Sequence, residues 1–177
     1  MRNTPTFAGH PGFVLLKYFM WPLNCSIEKA ARLLGISSLH MQGLVEGIID
    51  VDNDLAKKLT IVFGRTPAFW TGLQTKYEAW VSYTEAKSPS VVAEAAEEVA
   101  KQAVAAKTLK DKFLTPRGIT VEELAKRLRL PVRYVRKLVS GSGKLYAALA
   151  DRLAETFGTT REYWLNFVPR KQLAMPT

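Results

Sequence analysis

Slid along itself by 94 positions, the chain matches without a gap from about residue 15 to residue 73. Pro22 meets Pro116, Glu28 meets Glu122, Ala31 meets Ala125 and Leu34 meets Leu128. Further on, Leu44-Val45 meets Leu138-Val139 and Gly47 meets Gly141. Leu55-Ala56 meets Leu149-Ala150, and Phe63-Gly64 meets Phe157-Gly158. Thr66 meets Thr160 and Trp70 meets Trp164. Such register without insertions implies two copies of one small domain. A length of 177 residues accommodates two, and the period is too long and the copies too few for a solenoid. We read 1–85 as the first domain, 86–107 as a linker and 108–177 as the second domain.

Both copies read as helical. Thr120 followed by Glu123 forms a capping box, in which each side chain satisfies a backbone N–H at the helix start. The first copy has Ser26 as the cap but Lys29 in place of the glutamate, so half the box is lost. Apolar residues follow at helical spacing: Ile27, Ala30, Ala31 and Leu34, then Val121, Leu124, Ala125 and Leu128. Thr66-Pro67 is a second start signal, a cap followed by proline at the first helical position. Nothing reads as a strand. The expectation is an all-α chain of two tandem five-helix domains joined by a long helix. That helix begins at Ser88-Pro89, is rich in alanine and places Val92, Ala95, Ala96, Val99, Ala103 and Ala106 near one face. A rigid spacer and a dimerisation helix are both open for it.

Charge divides the copies. The chain carries +9, but residues 1–85 hold 8 basic residues against 7 acidic, while residues 108–177 hold 14 against 6. An excess confined to one half implies an anionic partner for that half, most simply nucleic acid. Cys25 is the single cysteine, which excludes an internal disulfide and a cysteine metal site and fits a reducing cytoplasm. No signal peptide is evident, and the apolar run FVLLKYFMWPL is broken by Lys17 and Pro22 and is too short to span a bilayer. No nucleophile–base pair, phosphate-binding glycine loop or metal spacing occurs, so neither an enzyme nor a cofactor is expected. His10 reads as a helix cap, and Phe69-Trp70 and Tyr163-Trp164 read as core.

Within each copy two helices are joined by a tight turn. Small Ala31 and Ala125 sit where the helices cross, and Met41 with Leu44, or Val135 with Leu138, packs the second helix on the first. This is helix-turn-helix patterning. Gly35 suits a left-handed turn position. The second copy has Arg129 there, at a cost of about 1 kcal/mol if the position stays left-handed. The first copy runs HPGFVLL, WPLNCSIEKAARLLGIS and LAKKLTIVFGRTPAFWTGLQTKYEAW; the second closes with LADRLAETFGTTREYWLNF. Residues 10–80 and 108–168 resemble HigA-type antitoxins, helix-turn-helix proteins of the phage-repressor-like class. Usual members have one such domain. The resemblance implies a dimer on its own operator and, in many members, neutralisation of a HigB-type mRNA-cleaving toxin.

In this motif the second helix enters the major groove and its N-terminal residues meet base edges. In the second copy it spans about Pro131 to Ser140, with Arg133, Tyr134, Arg136 and Lys137 expected to face outward. Arginine pairs bidentately with guanine, while lysine or serine, here Ser140 and the loop residue Lys144, holds phosphate. The matching residues of the first copy are Ser38, Leu39, His40, Gln42 and Gly43, of which Gln42 suits adenine. Asp50, Asp52 and Asp54 would repel phosphate, and Leu39, Ile48 and Ile49 would leave apolar surface near the mouth of the groove unless something covers it. Two readings of the first copy stand: a surface that packs against protein, whether the sister copy, a second chain or a toxin, and a weaker, A·T-preferring reader. The expected function is a sequence-specific DNA-binding repressor, a cytoplasmic homodimer on double-stranded operator DNA. The alternative is an antitoxin that neutralises such a toxin and represses its own operon.

Overall fold

The computed structural model describes the backbone of residues 8–85 and 89–168 and the side chains of 8–84 and 96–168. All regular structure among the described residues is helical. The chain divides into two compact units, Met1–Ala93 and Glu94–Thr177.

In the first unit, α1 (Pro11–Leu15) continues through a π-helical turn (Leu16–Met20) and a 3-10 turn (Trp21–Leu23). His10 caps it, its ring Nδ1 accepting from the Gly12 N–H at 3.0 Å, with Pro11 at the first helical position. Helix α2 (Ile27–Leu34) starts at Ser26, which accepts from Lys29, and ends on left-handed Gly35. Ser37 caps α3 (Ser38–Val45), Asp52 caps α4 (Asn53–Phe63) and Thr66 caps α5 (Pro67–Glu85). These caps satisfy N–H groups that the helices leave unpaired. The buried faces meet in one core of Leu15, Met20, Ala31, Leu34, Met41, Leu44, Leu55, Leu59 and Trp70. The approach of α1 to α3 is backbone on backbone: a Cβ added at Gly12 would lie 1.7 Å from the Leu44 carbonyl oxygen.

The second unit repeats this order. Helix α6 (Pro89–Thr108) runs directly into a π-helical turn (Leu109–Leu114) and a 3-10 turn (Thr115–Arg117). It is followed by α7 (Val121–Leu128), α8 (Val132–Ser140), α9 (Ala147–Phe157) and α10 (Arg161–Leu165). Thr120 caps α7 as expected, but the Glu123 carboxylate turns to Arg127 one helical turn later. Leu109, Leu114, Leu124, Leu128, Val135, Leu138, Leu149, Leu153 and Trp164 form the core.

The long helix differs from its sequence reading. Its buried stripe is Gln102, Ala105, Ala106, Leu109 and Phe113, the i, i+3, i+4 pattern that faces the rest of the second unit. Val99 and Ala103, placed on the apolar face from sequence, are exposed. Ser88 and the side chains of Val92 and Ala95 lie outside the described residues. The sequence stripe failed because alanine dominates the segment, and alanine marks no face strongly.

Arg129 keeps the left-handed geometry that Gly35 has in the first unit, with φ +54° against +62°. Its side chain removes the freedom that glycine would bring there. Arg129→Gly is therefore expected to raise the stability of the second unit by about 1 kcal/mol, read from urea unfolding of the two proteins. A lower midpoint in the glycine variant would show that the arginine side chain contributes more than its backbone strain costs.

Candidate nucleic-acid interface

The second helix of the motif, α8, has a sharp division of faces. Tyr134, Val135 and Leu138 point into the unit, while Arg133, Arg136 and Ser140 are exposed and Lys137 is half-buried. Pro131 precedes the helix and leaves no side-chain cap, so the N-terminal end of α8 presents only its backbone and Val132, Arg133 and Arg136. Gly141 ends it in the left-handed region at φ +85°.

Tyr134 corrects the expectation. It is only 5% exposed, and its hydroxyl donates to the backbone carbonyl of Lys144. It cannot meet a base edge. Its work is to tie the loop after α8 to the helix. Ser142 and Gly143 donate to the Lys137 carbonyl at 3.0 and 2.8 Å. A Cβ at Gly143 would lie 2.6 Å from the Leu138 nitrogen, so only glycine allows the loop to cross this close. The outcome is that Lys144, itself exposed, is held beside the end of α8.

Two carboxylates, neither foreseen from sequence, attend these cations. Arg136 donates through one guanidinium nitrogen to Glu122 of α7 at 3.2 Å. The Lys144 ammonium lies 3.1 Å from Glu98 of α6. Both partners are far from their cations in sequence, so no local spacing signals them. Among the described residues, Arg133 has no carboxylate partner. Ser140 donates to the Lys137 carbonyl at 3.0 Å and lies 3.0 Å from the Ser142 hydroxyl.

The matching face of the first unit is different chemistry on the same helices. Ser38 is exposed. His40, expected among the base readers, is buried instead; burial lowers its pKa to about 4, with Asp52 opposing and Lys58 reinforcing the shift. Gln42 is half-buried and donates to Glu46 at 2.9 Å, so its amide is already engaged. Burial raises the Glu46 carboxyl above the usual range, against the Gln42 hydrogen bond. Of the apolar residues expected at this surface, Ile49 is buried, while Ile48 and Leu39 are half-buried. Gln74 of α5 secures this loop, accepting from the Val51 N–H at 3.1 Å and donating to Asp50 at 3.2 Å. At the positions matched by Ser140 and Lys144, the first unit therefore presents Glu46 and Asp50.

A helix-turn-helix family model matches residues 109–164, which is α7 and α8 with the helices that support them. An uncharacterised HTH-type transcriptional regulator of Haemophilus influenzae is 31% identical over 80 residues, 45% of this chain and 72% of that protein. The antitoxin HigA-1 of Vibrio cholerae is 43% identical over 58 residues, 33% of this chain and 54% of the antitoxin. The HTH-type transcriptional regulator YbaQ of Escherichia coli is 36% identical over 70 residues, 40% of this chain and 62% of that protein. The chain thus spans a little over half of the Vibrio antitoxin and less than two thirds of the Escherichia regulator. No solved structure matches significantly. No helix among the described residues is long and apolar enough to cross a membrane. With an exposed, cationic second helix in its motif, and a regulator matched over 72% of that protein's length, the chain belongs to the family of helix-turn-helix transcriptional regulators.

Proposed function

We propose that the chain is a cytoplasmic, sequence-specific DNA-binding repressor built from two tandem helix-turn-helix domains, with the second as the DNA reader. The observation that carries this reading is the face of α8, where Arg133 and Arg136 project outward and Lys144 is fixed just beyond. Arg133 and Arg136 read base edges in the major groove. Lys137, Ser140 and Lys144 hold phosphate. Two such helices, from a homodimer, lie on half-sites about one helical turn apart. The first domain is not a reader: His40 is buried, Gln42 is bound to Glu46, and Asp50 repels phosphate.

Binding to a site selected from random double-stranded DNA tests this. Each phosphate contact contributes about −0.9 to the slope of log K against log salt. Lys144→Ala is expected to make the slope shallower by about 1 per reading domain and to weaken all sequences alike. Arg136→Ala should cost about 1–3 kcal/mol and relax the preference at one base position. Glu122→Gln should also relax that position, because its carboxylate aims the guanidinium, while leaving the salt slope unchanged. Variants that keep full preference at every position would remove α8 from the reading surface.

The identity with HigA-1 supports a second reading, an antitoxin that neutralises a HigB-type toxin and represses its own operon. Co-expression with the product of a neighbouring toxin frame separates the two: rescue of growth supports the antitoxin.

A further inference from the structure

The first helices of the two units bury the same kinds of residue and expose opposite ones. Leu15, Phe19 and Met20 face the core of the first unit, as Leu109, Phe113 and Leu114 face that of the second. On the outside the second unit carries Lys107, Asp111, Lys112, Thr115 and Arg117, all exposed. This is an ordinary solvated face. At the matching positions the first unit carries Phe13, Lys17, Tyr18, Trp21 and Leu23. Their exposures are 46% for Phe13, 61% for Tyr18, 60% for Trp21 and 66% for Leu23.

Phe13, Lys17 and Tyr18 form one patch. The Lys17 ammonium sits 5.8 Å from the Phe13 ring centroid and 5.3 Å from that of Tyr18. Trp21 stands three residues beyond Tyr18, at the start of the 3-10 turn, and is as exposed as Tyr18. Single exposed apolar residues are common on any protein, but several large ones on one short helix are not. Tryptophan and tyrosine are also the residues that dominate binding energy at protein interfaces. The helix therefore gives up a charged surface for one suited to contact.

Lys17 identifies the occupant. A two-fold pairing of this patch with its own copy would supply no carboxylate to either Lys17 ammonium, because residues 11–25 hold no Asp or Glu. Among the described residues no carboxylate pairs with Lys17, whose contacts are the two rings. An exposed ammonium beside two aromatic rings makes a charge-assisted bond to a carboxylate that arrives with apolar neighbours. We propose that the Phe13–Lys17–Tyr18–Trp21 face of the first helix is a docking site for another protein, through a segment that presents an Asp or Glu flanked by apolar side chains. This assignment does not depend on which domain reads DNA.

The test is a selection of phage-displayed random peptides on the full-length protein. A peptide of the winning sequence is then titrated by fluorescence anisotropy. The expected winners carry an acidic residue beside Leu, Phe or Trp. Trp21→Thr and Tyr18→Lys, which install the residues that the same helix tolerates in the second unit, should weaken them at least tenfold with an unchanged melting temperature. Lys17→Asp should weaken them similarly and lose that effect when the peptide's acid is replaced by lysine. Winners without an acidic residue, or winners indifferent to all three substitutions, would overturn the proposal. Concentration-dependent self-association in sedimentation, abolished by Trp21→Thr, would also overturn it by making a second copy the occupant.

Discussion

Lowering the pH from 6.5 towards 4 is expected to unfold the first unit while the second keeps its structure. The two histidines of the chain, His10 and His40, are both in the first unit and both buried. Burial lowers each pKa from 6.5 to about 4; Asp50 opposes this for His10 and Asp52 opposes it for His40. Both rings are therefore neutral in the fold at neutral pH. As pH falls below 6.5 the unfolded chain takes up protons that the folded unit refuses. Stability declines through the window and levels off below about 4. The difference corresponds to roughly 3 kcal/mol for each ring, a large share of what holds a small domain. His10 adds a structural reason, since its Nδ1 accepts the Gly12 N–H and a protonated ring cannot. Glu46 works in the opposite sense: its raised carboxyl pKa stabilises the fold as it protonates and offsets part of the loss. Amide hydrogen exchange by mass spectrometry, corrected for intrinsic rates, separates the units. Amides of α2, α3 and α4 should lose protection well before those of α7, α8 and α9. Equal loss in both units would show that the histidines are not what limits the first.

Trp164→Ala is expected to cost the second unit about 3–5 kcal/mol, and DNA binding with it. Trp164 is fully buried, and its ring lies 5.1 Å from Phe113, 6.2 Å from Phe157 and 5.3 Å from Tyr163, centroid to centroid. Its indole N–H donates to the Thr159 hydroxyl at 2.7 Å. Truncation would leave a large void among these three aromatic rings and take the indole donor from the Thr159 hydroxyl just after α9. Helix α9 packs on α7, and α7 on α8, so the proposed reading face loses its platform. Calorimetry should show one transition moved down and the other unmoved. A variant that melts like the parent would mean that the aromatic cluster closes over the gap.

The helices, their caps and the motif were legible because each rests on local chemistry. Ser26, Thr66 and Thr120 read as caps and cap the helices that follow them. The left-handed position of Arg129 was legible from its match to Gly35. Burial decided by distant contacts was not. Tyr134 reads as outward beside two arginines, yet its ring turns inward so that its hydroxyl reaches Lys144, ten residues later. Ile49 reads as exposed in an acidic loop, yet Gln74 of α5 folds that loop onto the unit. Glu122 and Glu98 have no local signal at all, since each meets its cation only after the helices have packed. The sequence shows which helix carries the charge. It does not show which charges are already answered within the fold.

The most direct test of the account compares two full-length variants on one DNA site, selected by the parent protein from random duplexes. One carries Arg133→Ala and Arg136→Ala on α8; the other carries Ser38→Ala and Gln42→Ala on α3. The α8 variant is expected to lose at least about thirtyfold in specific affinity, at about 1–3 kcal/mol for each arginine, while the α3 variant binds like the parent. Equal losses in the two variants, or a loss confined to the α3 variant, would contradict the assignment of DNA reading to the second domain.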